Sequence, residues 1–206
     1  MVDCIKVMKH SSILIQDTKV IYFDPFEIDE GCPKADVIFV THDHYDHYSP
    51  KDIMKIVKED TIIYMPKCME EITIPSFISQ IRFMAFGAYE ENGIQFKVIP
   101  AYNVNKQFHA KEKQYAAYIV NMNGCRYYVA GDTDVNEDNL KVECDIALVP
   151  VGGTYTMTVY EAAELVNAIR PKVAIPTHYG LIVGDSEDGK KFSALIDKGI
   201  EVVVQI

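Results

Sequence analysis

The sequence predicts an α/β protein in which two sheets pack together with helices outside. Three observations carry this. The first half alternates short β-rich runs with turn signals. The segments DVIFV (36–40) and CDIALVP (144–150) are near-continuous apolar runs, the mark of strands buried on both faces. Helical patterns arrive at separated places, mostly late, so helices alternate with strands instead of forming a block.

Taken in order, IKVMKHSSILIQDTKVIYFDP holds two or three strands and ends at Asp24-Pro25. DVIFV follows. In SPKDIMKIVKED, Ser49 reads as an N-cap, Pro50 suits the first helical position, and Asp52 completes a capping-box-like spacing. Strands are expected at TIIYMP (61–66), IRFMAF (81–86) and IQFKVIPAY (94–102), the last entered through an Asn92-Gly93 turn. YAAYIVNMNGCRYYVAGD reads as a hairpin around Asn123-Gly124, a type I′ signal. Thr158 and Glu161 cap an amphipathic helix with Ala162, Leu165, Val166 and Ile169 on one side, stopped by Pro171. VAIPTHYG is a short strand and loop, and a helix near 188–197 precedes the closing strand IEVVVQI. No linker, low-complexity stretch or sequence repeat divides the chain, so a single domain over 1–206 is expected.

The chain has 206 residues, 49% of them hydrophobic, enough for one sizeable core. Its net charge of −10 argues against a nucleic-acid binder, which needs a basic footprint. Cys4, Cys32, Cys68, Cys125 and Cys144 are odd in number and scattered, as in a reducing compartment. MVDCIKVMKH lacks the apolar run of a signal peptide, and no stretch approaches a membrane span. A cytoplasmic protein is therefore expected.

The informative stretch is VTHDHYDHYSP (40–50). It carries half of the six histidines, His42, His44 and His47, with Asp43 and Asp46 between them. The stretch lies between the end of a buried strand and the start of a helix. Alternate residues at a strand end point the same way, which pairs His42 with His44. As the chain turns toward Ser49, Asp46 and His47 can swing back to the same pocket. Imidazole and carboxylate donors suit zinc and other borderline divalent metals. Two metals need further ligands. Asp132 in YYVAGDTD, His178 in IPTHYG and His109 after IQFKVIPAY all fall at or just past expected strand ends, where α/β sites collect.

These residues, in this order, resemble the metallo-β-lactamase superfamily of metal-dependent hydrolases. Its T/S-H-x-H-x-D-H motif matches Thr41 to His47. Its early aspartate matches Asp24 in IYFDP, its later aspartate Asp132, and its late histidine His178. The match covers nearly the whole chain. It is closest to short members similar to the ascorbate-lactonase and phosphodiesterase-like groups, and KHSSILI is similar to a stretch that would bring His10 near the pocket. The resemblance implies a four-layer αββα sandwich with a dinuclear site. It implies that His42 and His44 hold one metal, that Asp46, His47 and His178 hold the other, and that Asp132 bridges them. Asp24 would orient ligands without binding metal. One motif departs: Asn103 stands in IPAYN where the superfamily has a histidine. His109 is taken as the replacement ligand, with completion by Asn103 or water as the alternative.

The expected activity is hydrolysis of a small ester, lactone or phosphodiester by a bridging hydroxide on two divalent metals, zinc first, with manganese or iron as alternatives. Superfamily members with a di-iron redox centre use Glu at the position of His44 and carry a flavodoxin domain for which there is no room. Asp46 would ligate and orient the nucleophile. His10, or Tyr102 or Tyr179, would donate to the oxyanion, although the tyrosines equally suit core packing. Lys106, Lys111 and Lys113 surround His109 and could draw in an anionic small-molecule substrate, against the simpler reading of a solvated loop. Gly152-Gly153 in VGGTYTM permits close backbone approach to a ligand, with Thr154 and Tyr155 lining the pocket. The rival functions are a metal-binding or regulatory module without turnover and a nuclease. Completion of the pocket by a second copy stays open.

Overall fold

The computed structural model describes residues 2–206. Residues up to Ala85 form one compact unit and Phe86–Ile206 a second.

The first unit is built on a six-stranded sheet. Its strands are β1 (Ile5–Lys9), β2 (Ser12–Gln16), β3 (Val20–Phe23), β4 (Val37–Phe39), β5 (Ile62–Pro66) and β6 (Ile81–Met84), adjacent in that order. β1–β2–β3 pair antiparallel and β3–β4–β5–β6 pair parallel. Parallel neighbours need a crossover, and the helix α1 (Pro50–Ile56) supplies the one between β4 and β5. It buries Ile53 and Ile56 against Leu14, Tyr22, Ile38 and Ile63 on one sheet face. On the other face the cross-strand register sets Phe23, Phe39 and Tyr64 side by side, stacked at centroid distances of 5.1 Å.

The expected capping box of α1 does not form. Ser49 makes no side-chain cap and donates its hydroxyl to Asp52 at 2.6 Å. The Asp52 carboxylate faces the chain just beyond Asp24, where it accepts the N–H groups of Glu27 and Ile28 at 3.1 Å each. Burial works against its ionisation, but hydrogen bonds from Ser49, Lys55 and the Glu27 N–H hold the carboxyl below the usual range.

The second unit has seven strands: β7 (Gly87–Glu91), β8 (Ile94–Pro100), β9 (Ala116–Met122), β10 (Cys125–Val129), β11 (Ile146–Pro150), β12 (Val173–Thr177) and β13 (Glu201–Val202). They lie in reverse order from β13 to β7. Pairing again passes from antiparallel, β7 to β10, to parallel, β10 to β13. Asn92-Gly93 and Asn123-Gly124 both have positive φ at each residue, as type I′ turns require. The strand β7 was not expected. Its sequence GAYEE alternates exposed and half-buried positions at the sheet edge and lacks an apolar run. The helix α2 (Val159–Ile169) begins with the Thr158–Glu161 capping box and ends at Arg170 in the left-handed region, before Pro171. α2 and α3 (Asp188–Leu195) share a core with β11 and β12 that includes Leu165, Val166, Ala147, Val149, Ala174 and Phe192. Among the described residues no helix is long and apolar enough to cross a membrane.

Candidate metal centre

In the first unit, Asp24 and Thr41 lie just beyond the same end of neighbouring parallel strands. The Asp24 N–H bonds to Phe39 O at 3.0 Å, and the Val40 N–H to Tyr64 O at 2.9 Å. Asp24 has φ 45°, which aims its carboxylate back at Thr41. That carboxylate accepts the Thr41 N–H at 2.7 Å, the Thr41 hydroxyl at 2.7 Å and His47 Nδ1 at 2.7 Å.

These bonds settle two tautomers. A carboxylate only accepts, so His47 carries its proton on Nδ1. The single Thr41 hydroxyl hydrogen goes to Asp24, so the 3.0 Å contact to His42 Nδ1 has His42 as donor. Both rings therefore present Nε2 as a lone pair. His42 Nε2 lies 3.1 Å from His44 Nδ1. The chain folds back because the N–H groups of His47 and Tyr48 both bond to His44 O, at 3.0 and 2.8 Å. This brings His47 Nε2 to 3.7 Å from Asp46 Oδ2. His10, at φ 54° in the tight turn between β1 and β2, is buried and sets its Nε2 3.3 Å from the same oxygen.

In the second unit, Asp132 follows β10 and Gly131 (φ 61°). The loop carrying it is fixed from both sides. Thr133 Oγ1 accepts the Tyr102 N–H at 3.2 Å, Met157 N–H bonds to Thr133 O at 3.2 Å, and the Asp134 carboxylate accepts the Val104 N–H at 3.0 Å. Asp132 Oδ2 lies 3.3 Å from His109 Nε2 and 3.2 Å from His178 Nε2. His109 (φ 55°) and His178 (φ 59°) are both left-handed. His109 Nδ1 donates to Tyr155 O at 3.2 Å, which again frees Nε2. Asn103 donates its amide to Tyr155 O at 2.7 Å and Phe108 O at 3.0 Å, clasping the loop that ends at His109. Gly152 has to be glycine: a Cβ there would stand 2.1 Å from His178 O.

The distances separate two kinds of contact. His47 Nδ1 to Asp24, at 2.7 Å, has the length of a charge-assisted hydrogen bond. The closest contacts of the ligand-side atoms, at 3.1 to 3.3 Å, are longer. They match the edge of a tetrahedron with metal–ligand bonds of about 2.0–2.1 Å, roughly 3.3 Å. Lone pairs of imidazole and carboxylate spaced in this way fit a divalent metal.

Other expected site residues have different partners. Tyr102 donates its hydroxyl to Asp138 at 3.1 Å and lies under Lys111. Tyr179 packs in the core of the second unit and donates its hydroxyl to Ile206 O, so it ties down the C-terminal segment, in keeping with the core-packing alternative. Lys106 is paired with Asp134, and Lys111 with Glu137 at 2.9 Å, which makes them loop clamps before attractors of an anion. Gly152 serves the approach of His178. Thr154 is exposed and Tyr155 half-buried. The sequence reading missed the roles of Thr41 and Asp134. Thr41 stood inside the histidine motif, but nothing local showed which partner its hydroxyl takes.

A beta-lactamase superfamily domain matches residues 4–178. The chain belongs to the metallo-β-lactamase superfamily, among its metal-dependent hydrolases. A UPF0173 metal-dependent hydrolase of Thermococcus kodakarensis is 30% identical over 97% of this chain and 95% of its own length. The crystal structure of a candidate metal-dependent hydrolase from Parabacteroides distasonis superposes with a TM-score of 0.84 at 31% identity, covering 97% of this chain and 91% of the other. A metallo hydrolase from Ignicoccus hospitalis shares the superfamily fold, with a TM-score of 0.74 at 20% identity over 97% and 93% of the two chains.

Proposed function

We propose that the two ligand sets serve one dinuclear centre that hydrolyses a small ester, lactone or phosphodiester. The observation that carries this reading is Asp132. One of its oxygens, Oδ2, lies at ligand-edge distance from both His109, taken as the replacement ligand of one ion, and His178, which the resemblance assigns to the other. One carboxylate oxygen can serve two ions from such a position.

In this reading His42, His44 and His109 hold one ion, Asp46, His47 and His178 hold the other, and Asp132 is common to both. Zinc is the ion proposed first, with manganese or iron accepting the same donors. Ions held there would supply Lewis acidity and would make water a nucleophile at neutral pH. Asp24, through Thr41 and His47, keeps the imidazole lone pairs facing inward. Asp46 orients the nucleophile, and His10, 3.3 Å from its carboxylate, donates to the developing oxyanion. The scattered cysteines support a cytoplasmic setting.

The test combines metal analysis with a panel of chromogenic ester, lactone and phosphodiester substrates. Wild-type protein should bind two ions per chain and turn over at least one class. Asp132→Ala should lose both properties. Unchanged turnover in that variant would refute the dinuclear mechanism.

A further inference from the structure

We propose that Phe108 and Tyr155 form a subsite beside His109 that receives the apolar acyl group of an ester or lactone. This rests on the hydrolase reading and names its substrate class.

Phe108 directly precedes His109, and the two ring centroids are 6.5 Å apart. It is 49% exposed. Exposed phenylalanines are ordinarily free to turn, but this one is held. It meets Tyr155 edge to face, with centroids 4.8 Å apart and planes at 81°. The backbone beneath both rings is pinned by one side chain, because the Asn103 amide bonds to the carbonyls of Phe108 and Tyr155 together. The same Tyr155 carbonyl takes the His109 Nδ1–H. The aromatic pair and the imidazole are therefore fixed as one piece, which is the preorganisation a binding platform requires.

A further observation points to a ligand. Asn103 is only 6% exposed, and its buried Oδ1 has no hydrogen-bond partner among the described residues. An open acceptor at such a depth is costly unless a ligand or water fills it. Val104, next to Asn103, is also apolar and 57% exposed, between buried Asn103 and exposed Asn105. Lys106 and Lys111 are engaged by Asp134 and Glu137.

The experiment titrates acetate and phenylacetate, the products of a short and an aromatic ester, into metal-loaded wild-type protein and Phe108→Ala by calorimetry. It is paired with hydrolysis of methyl acetate and methyl phenylacetate in a pH-stat. Wild type should bind phenylacetate about tenfold tighter than acetate, as one well-placed apolar contact allows. Phe108→Ala should keep its metal and its acetate affinity and lose the preference. Phe108→Leu, which keeps apolar volume, should retain part of it and serves as the check on folding. No preference in wild type, or a preference that survives in Phe108→Ala, overturns the subsite. If the preference behaves as expected but neither ester is cleaved, the subsite stands and the assigned hydrolysis of esters fails.

Discussion

Replacing Thr41 with valine removes one oxygen, keeps the shape, and deprives the His42 imidazole of the contact that orients it. The hydroxyl donates to the Asp24 carboxylate at 2.7 Å, a bond to a charged acceptor worth about 1.5–3 kcal/mol. It accepts the His42 Nδ1–H at 3.0 Å, a neutral bond worth about 0.5–1.5 kcal/mol. The two together come to about 2–4.5 kcal/mol of folding stability. Asp24 retains the Thr41 N–H and His47 Nδ1, so the loss should fall in the lower half of that range. The effect on metal should be larger in proportion. His42 loses the contact that keeps its proton on Nδ1, and outer partners of this kind are worth about 10–100-fold in metal affinity. Urea unfolding of the metal-free protein reads the first quantity, and competition with a zinc-binding chromophore reads the second. Thr41→Ser, which keeps the hydroxyl, should restore both. If Thr41→Val binds metal within about twofold of wild type, the tautomer chain from Asp24 to His42 does not exist as described.

Gly152→Ala should cost about 1–3 kcal/mol and lower the metal content, since the new methyl must displace His178; wild-type stability with full metal would refute the close approach. For Asp52 the folded carboxyl lies below its ordinary value of 3.8, so its contribution is present above that value and is lost as pH falls through the folded one. Asp52→Asn should be less stable at neutral pH and show a shallower loss on acidification from pH 6 to 3, measured by denaturant midpoints; parallel curves for variant and wild type would sink this. His109→Gly should be more stable than His109→Ala by about 1–2 kcal/mol, because φ 55° burdens any Cβ-bearing residue; the opposite order would remove strain from the account.

The candidate metal-binding motif could be named from the sequence because its residues are close together in the chain. His42, His44, Asp46 and His47 lie within six positions, and the buried strand before them fixes where they stand. Asp24, Asp132 and His178 could be read from strand ends, which the apolar runs mark well. What stayed hidden depends on partners distant in sequence. Thr41 gains its meaning from Asp24, 17 residues away. Asn103 acts through the carbonyl of Tyr155, 52 residues on. Tyr102, Tyr179, Lys106 and Lys111 looked available because nothing in their own segments shows Asp138, Ile206, Asp134 or Glu137 beside them. Asp52 had the spacing of a cap, but the competing N–H groups of Glu27 and Ile28 took its carboxylate. The edge strand β7 was missed because a polar edge carries no strong period.

Backbone strain is where fold and site meet. His10, Asp24, His109 and His178 all have φ between 45° and 59°, in a region that residues other than glycine seldom occupy. Each costs on the order of 1–3 kcal/mol if nothing compensates it. In a chain selected for stability alone, glycine would be the better residue at these turns. Asp24 and His178 directly follow β3 and β12, and His10 and His109 stand in the connections between antiparallel strands. The two sheets repeat the device: a buried histidine in a connection between antiparallel strands, at His10 and His109, and an aspartate just beyond the strand where pairing becomes parallel, at Asp24 and Asp132. The first aspartate receives Nδ1 of His47 at 2.7 Å, and the second stands against Nε2 of His178 and His109 at 3.2 and 3.3 Å. The same placement thus makes the first carboxylate an orienting group, and the second is the one that the proposed centre would share between its ions.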